Sequence, residues 1–460
     1  MRVHVTAVKR TLPATFHGIN YVAFWDKHQG SPQSKDALSR AAIRTIRFPG
    51  GDPGNFYDWR CPYYAESEAE PCPASPVASS TSSSSPMEVW SYARELGGKV
   101  LFQTNTRGGQ KRHPSGANSA ESVGAWAADA KARGMAADFE IGNEDDVHMR
   151  SKHDASFQSY LRIFDAQARA IHAANPGARV FGPAGTNQYY WWALDSLGMF
   201  LQAAGNKRGS GQADGVSLHF YVGSRWEDSI DVAQAWQKKE GPWAFIRRTL
   251  TANDSRPLPV YVSEWHIGPS EPAFNTSMAN ALLTADVIGA FAESGVAGHQ
   301  YFATHGVDLS PYSFGLLYGA NDTRPPDTPT PTYYAFTLWA RMGDRVLSLE
   351  QSSDARSELS SYATSKADGS VQVLSINKSD QGTRVTLGLD GVSRGKRDVT
   401  ISVLSPKGDR TSRDVTLNGV PNPPVSALPP PRSASASDAQ FAYSVPASSI
   451  VLVTLLPAVK

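Results

Sequence analysis

From about residue 14 to residue 342, short apolar, β-branched runs alternate with longer stretches whose apolar residues recur at helical spacing. The short runs predict eight strands, at 15–20, 45–48, 99–104, 138–141, 179–182, 215–220, 259–263 and 297–302. The longer stretches predict helices such as 119–133, 157–174, 191–204, 229–250 and 278–294. Strand and helix in strict alternation predict parallel βα units. Eight units predict a closed (β/α)8 TIM barrel, an α/β fold. A doubly wound sheet competes, but no Gly-rich phosphate loop follows the first strand.

After Arg341 the period changes to two. SELSSYATS, SVQVLSINKS, TRVTLGL, DVTISVLS and SIVLVTLL alternate apolar and polar residues between Gly, Asp, Asn and Ser. This predicts a C-terminal antiparallel β-sandwich. A strand at 2–9 precedes the barrel and is expected to cross over to the sandwich. The expected division is a catalytic barrel over 10–342 and a sandwich built from 1–9 plus 343–460. The Pro- and Ser-rich stretch 420–436 reads as a mobile loop. The Ser/Thr run at 78–86 reads as an exposed insertion in the second βα loop.

Composition narrows the function classes. The 460 residues are 40% hydrophobic and 19% charged, a globular balance. A net charge of +1 gives no global pull toward nucleic acid or membrane, so neither is expected as a partner. No run of 18 apolar residues occurs. The N-terminus MRVHVTAVKR lacks a signal-peptide core. The protein is either cytoplasmic or exported with its leader removed, and the second reading, secreted or periplasmic, is preferred. Cys61 and Cys72 share one loop. Without a nearby His pair they cannot form a structural zinc site. A disulfide and two free thiols both stay open, and a bridge would imply an oxidising compartment.

In a barrel of this kind the chemistry sits at the C-terminal strand ends. The fourth strand ends in DFEIGNEDDV, which puts Glu144 at the mouth. The seventh ends in VYVSEWHIG, which puts Glu264 there. Two carboxyls facing across a sugar are what retaining glycoside cleavage needs: one protonates the leaving oxygen, the other attacks the anomeric carbon, about 5–5.5 Å apart. Glu144 is expected to be the acid/base and Glu264 the nucleophile, with Arg47 of TIRFPGGD keeping Glu264 ionised. Asn143 is placed to bond a sugar 2-hydroxyl. His219 and Tyr221 in SLHFY are placed to orient the carboxyls. Trp25, Trp265, Tyr189, Tyr190 and Trp226 offer faces for sugar stacking, and Asn105, after the third strand, completes the substrate-binding set. Asp145 and Asp146 read as helix-start charges. The mechanism calls for no cofactor and no metal, although His299, His305 and Asp308 include ligand types.

GNE at the fourth strand end and SEW at the seventh resemble the signatures of glycoside hydrolase clan A, over about residues 14–342. The resemblance implies a (β/α)8 retaining enzyme acting on carbohydrate. It assigns Asn143–Glu144 to the acid/base pair, Glu264 to the nucleophile, Arg47 to the second-strand Arg, and His219 and Tyr221 to the sixth-strand pair. RFPGGD…YDW with EIGNE looks most like the α-L-arabinofuranosidases. The trailing sandwich is similar in those enzymes, in the β-xylosidase and iduronidase family, and in the heparanase-like β-glucuronidases. Two features depart from these patterns: His266 follows Trp265 where an arabinofuranosidase has Asn, and the 61–86 insertion matches none of the three. The expected function is a retaining glycosidase on oligo- or polysaccharide. A transglycosylase with the same carboxyls and a non-catalytic sugar-binding barrel are the alternatives.

Overall fold

The computed structural model describes residues 1–23, 30–60, 84–107, 116–147, 155–186, 196–205, 211–223, 226–253, 256–267, 272–306, 314–320, 324–351, 358–392, 395–436 and 440–458. Cys61, Cys72 and most of the Ser/Thr run lie outside these residues. Strand β1 (Arg2–Thr11) comes first. Eight parallel strands then close into a barrel: β2 (His17–Asn20), β3 (Thr45–Phe48), β4 (Lys99–Thr104), β5 (Ala137–Ile141), β6 (Val180–Gly185), β7 (Gly215–Val222), β8 (Val260–Ile267) and β9 (Gly298–Tyr301). All eight lie where the apolar runs predict them. Side chains alternate between lumen and helix layer. On β5, Phe139 and Ile141 join the helix-facing core, while Glu140 points inward to an arginine on β3. Leu101, Phe181 and Tyr261 close the floor as a small apolar cluster.

Helix Met278–Ser294 covers β8. Its residues 278–292 are all buried, because the barrel lies on one side and the second sheet on the other. The helix expected over 229–250 is instead three pieces, Trp226–Ser229, Val232–Gln237 and Pro242–Asn253. Pro242 cannot continue a helix from before it but starts one well. A Cβ at Gly241 would lie 2.1 Å from the Ala235 carbonyl oxygen, so the break needs glycine. Among the described residues no helix is long and apolar enough to cross a membrane.

The second domain is an 11-stranded sheet, antiparallel except where β1 pairs parallel with Thr383–Asp390. On its other edge β1 pairs antiparallel with Arg345–Glu350, so the chain's first strand does cross over. Val3, Leu347, Val373, Leu387, Val399 and Val451 belong to its core. The Pro-rich stretch 420–436 is not a free loop. Arg432–Ala436 pairs with Arg397–Pro406, which satisfies its backbone groups.

Polar contacts help fix sheet to barrel. The loop carbonyls of Arg410 and Ser412 accept from the Ala279 and Met278 amides, capping otherwise orphan donors of helix Met278–Ser294. Deeper, Lys378 and Asp286 form a fully buried ion pair at 2.6 Å. Tyr362 donates to Asp286 at 2.6 Å, and Lys378 also donates to the Ile230 carbonyl. Lys378→Met would strand the Asp286 carboxylate in a dry interface. It is expected to lower unfolding free energy by about 3–5 kcal/mol, measured by urea denaturation. A change under about 1 kcal/mol would show that the pair does not fasten the domains.

Candidate active site

Arg47 stands at the end of β3, fully buried, and its guanidinium crosses the lumen. Nε donates to Glu140 at 2.5 Å. Nη1 donates to Glu264 at 2.9 Å and to Asn20 at 3.0 Å. Nη2 donates to Asn143 at 2.8 Å. A planar fork with five donors suits this four-way contact, and lysine could not replace it. Asn20 in turn donates to the Ser263 and Gln300 carbonyls, tying the fork to β8 and β9.

Glu144 follows β5 through a strained turn. Its own φ is +51°, and Gly142 has φ +83°. A Cβ at Gly142 would lie 2.3 Å from Asp145 Oδ2, so only glycine fits there. The Glu144 amide donates to the Ala184 carbonyl at 2.9 Å, which holds a conformation that non-glycine residues rarely adopt. Glu264 is aimed differently. Leu218 pairs with Val262 but His219 pairs with Glu264, so Ser263 is an extra residue in β8. Such a bulge re-aims the side chains beside it.

The two carboxyls meet at His219. One oxygen of each and a ring nitrogen of His219 all lie within 4.8 Å of one another. His219 Nδ1 is 2.9 Å from Glu144 Oε1 and 3.9 Å from Glu264 Oε2. The Tyr221 hydroxyl donates to Glu264 Oε1 at 2.5 Å. Glu264 thus has a guanidinium on one oxygen and a phenol on the other. Glu144 keeps 22% of its side chain exposed against 7% for Glu264, so it is the more open to the bowl.

Burial pushes Glu144 up to about 7, helped by the Asp52 carboxylate and opposed by Arg47 and Arg107. Burial also pushes Glu264 above the ordinary carboxylate range, against His219, Arg47 and the Tyr221 hydrogen bond. Burial holds His219 down to about 4, so it is neutral near pH 7 and adds no charge there. Arg47 and Tyr221 are therefore what favours the ionised form of Glu264 at neutral pH.

Arg47, Asn143, Glu144, His219, Tyr221 and Glu264 all converge. Other expected residues do not. Trp265 is fully buried and faces away from the lumen, against Phe291 and Tyr301, so it has no face to offer a sugar. Asn105 is buried and braces loops: Nδ2 donates to the Tyr57 carbonyl and Oδ1 accepts from the Arg107 amide. Over Trp226 the Arg410 guanidinium sits 4.8 Å from the ring centre, so a sandwich side chain covers a face expected to stack on sugar. Asp145 and Asp146 lie in a turn; they accept from Thr106, and from Thr186 and Ser196, pinning the turn that carries Glu144. Trp25, Tyr189 and Tyr190 lie outside the described residues. Two members, Asn20 and Glu140, were not anticipated. Glu140 had a signal: in Asp138-Phe139-Glu140-Ile141 the apolar residues take one face, so an acid must point into the lumen and needs a cation there.

A family model described as glycosyl hydrolases family 39 matches residues 133–405. The chain belongs to that family. That family fits the clan A resemblance of its strand ends. It is 25% identical over 224 residues to a β-xylosidase of Geobacillus stearothermophilus, an alignment spanning 45% of this chain and 42% of that enzyme. By fold it is similar to the α-L-arabinofuranosidase of Thermotoga maritima, with TM-score 0.71, 14% identity and 99% of each chain covered. It is also similar to a family 44 xyloglucanase of Paenibacillus polymyxa, with TM-score 0.66, 11% identity and 99% of each chain covered. At such identities these structures speak for the barrel-plus-sandwich fold alone.

Proposed function

We propose that the protein is a retaining glycosidase in which Glu264 is the nucleophile, Glu144 the acid/base, and β-D-xylosides or related pentosides the substrates. One observation carries the reading: two carboxyls in one bowl, with oxygens within 4.8 Å and unequal partners. That gap suits direct attack. An inverting pair needs about 6.5–9.5 Å to admit a water. The pentoside preference draws on the xylosidase relative, and the arabinofuranosidase is the nearest competitor.

In the first step Glu264 attacks the anomeric carbon and forms an ester, while Glu144 gives its proton to the departing oxygen. Arg47 and Tyr221 hold the attacking carboxylate in line, and Asn143, held by Arg47, faces the sugar 2-hydroxyl. Esterification removes the negative charge on Glu264. Glu144 then loses a repulsive neighbour, its proton affinity falls, and it takes a proton from water. The water oxygen attacks the anomeric carbon and releases Glu264. Trp265, Asn105 and Trp226 are assigned no contact with the sugar in this scheme.

The test is a panel of 4-nitrophenyl glycosides (β-xyloside, α-arabinofuranoside, β-glucuronide, β-galactoside, β-glucoside), followed by proton NMR of the first-formed anomer. β-Xyloside cleavage with the β-anomer formed first is expected. First formation of the α-anomer from a β-xyloside would overturn the double-displacement reading. Selection of another sugar would move the substrate and leave the mechanism.

A further inference from the structure

Trp265 directly follows Glu264, and its indole has a single polar group, an N–H that donates and cannot accept. That N–H reaches His299 Nδ1 at 3.1 Å. His299 Nδ1 must therefore be the unprotonated nitrogen, and the neutral ring carries its proton on Nε2. Nε2 lies 3.0 Å from His17 Nδ1, which must then accept. The direction of each bond follows from the indole: Trp265 to His299 to His17. Burial holds His17 down to about 4 and His299 well below the ordinary histidine value, so both rings stay neutral and the tautomers persist at neutral pH.

The three side chains sit on the outer face of the barrel wall, on β8, β9 and β2. Phe291 packs edge-on against Trp265, Phe16 edge-on against His299, and Phe336 against both histidines. None of them touches the bowl. Their importance lies in the bulge. The extra residue at Ser263 swings Glu264 into register with His219, and extra residues weaken the ladder that holds a strand. Trp265 is the next side chain after Glu264; it is fully buried and tied by a hydrogen bond on the outer face of the wall.

We propose that His299, backed by His17, is a positioning residue for catalysis: it holds the Trp265 indole and so fixes the aim of Glu264. The proposal rests on Glu264 being the nucleophile. A side-chain error of about 1 Å at such a group costs roughly 100-fold in rate.

The experiment compares His299→Leu, His299→Asn and Trp265→Phe in the full chain. A 2-deoxy-2-fluoro glycosyl fluoride of the sugar selected by the panel labels and counts competent sites, and mass spectrometry locates the label. His299→Leu removes the acceptor, and kcat per labelled site should fall about 10- to 100-fold with KM little changed. Asn places an oxygen near the position of Nδ1, so His299→Asn should recover most of that loss. Trp265→Phe keeps a ring without a donor and should match His299→Leu; it decides the question where the leucine variant does not fold. Wild-type kcat per labelled site in His299→Leu or Trp265→Phe, or no recovery in His299→Asn, would overturn the positioning role. A label on any residue other than Glu264 would overturn the nucleophile assignment instead, whatever the kinetics.

Discussion

Glu264→Ala is expected to retain less than about one part in 10⁴ of turnover on an aryl glycoside, with the fold intact. The loss is large because the covalent route has no substitute attacker within reach. Glu144 does not serve, since in the proposed scheme it flanks the leaving oxygen and not the face that Glu264 attacks. The fold survives because Arg47 stays compensated: Glu140, the other buried carboxylate on its fork, remains at 2.5 Å. Removing the side chain leaves an anion-sized space between Arg47 Nη1 and the Tyr221 hydroxyl, both of which faced Glu264. Sodium azide should enter that space and attack the anomeric carbon in place of the carboxylate. The product is a glycosyl azide of inverted configuration, identifiable by NMR. Residual turnover within tenfold of wild type, or an azide product of retained configuration, would remove Glu264 from the nucleophile's role.

The barrel was readable because its strands are short apolar runs bounded by polar turns, and burial on both faces leaves little room for another pattern. The carboxyl pair was readable because Gly142-Asn143-Glu144 and Ser263-Glu264-Trp265 place acids where strands meet the bowl. Four features were missed, each for a physical reason. Trp265 looks like a stacking residue, but the side chain next to an inward-facing Glu264 must point outward, and alternation alone would have said so. Asn105 looks like a sugar contact, but a polar residue beneath two loops is claimed by orphan backbone groups first. The bulge at Ser263 leaves no mark in composition, because it is a relation between β7 and β8 rather than a property of either. The strand at 432–436 was hidden by its Pro- and Ser-rich flank, which reads as loop until a partner strand is present.

Glu144→Ala should separate substrates by leaving group. A dinitrophenolate departs without a proton, so the first step should survive with that substrate, while hydrolysis of the ester slows for want of a base. The expected record is a burst of dinitrophenol equal to the enzyme present, followed by slow turnover. An alkyl glycoside or oligosaccharide needs the proton, and its kcat/KM should fall about 10²- to 10⁴-fold. The pH profile should change with it. Wild-type kcat/KM on unactivated substrates needs Glu144 protonated, so the rate falls as pH rises through about 7, where burial and Asp52 have set that carboxyl. In Glu144→Ala that alkaline limb should vanish on the dinitrophenyl substrate. The proton belongs to a coupled pair, and its place on Glu144 depends on Arg47 and Tyr221 keeping the charge on Glu264. An alkaline limb that persists in Glu144→Ala, or equal losses on both kinds of leaving group, would mean that the proton comes from another residue.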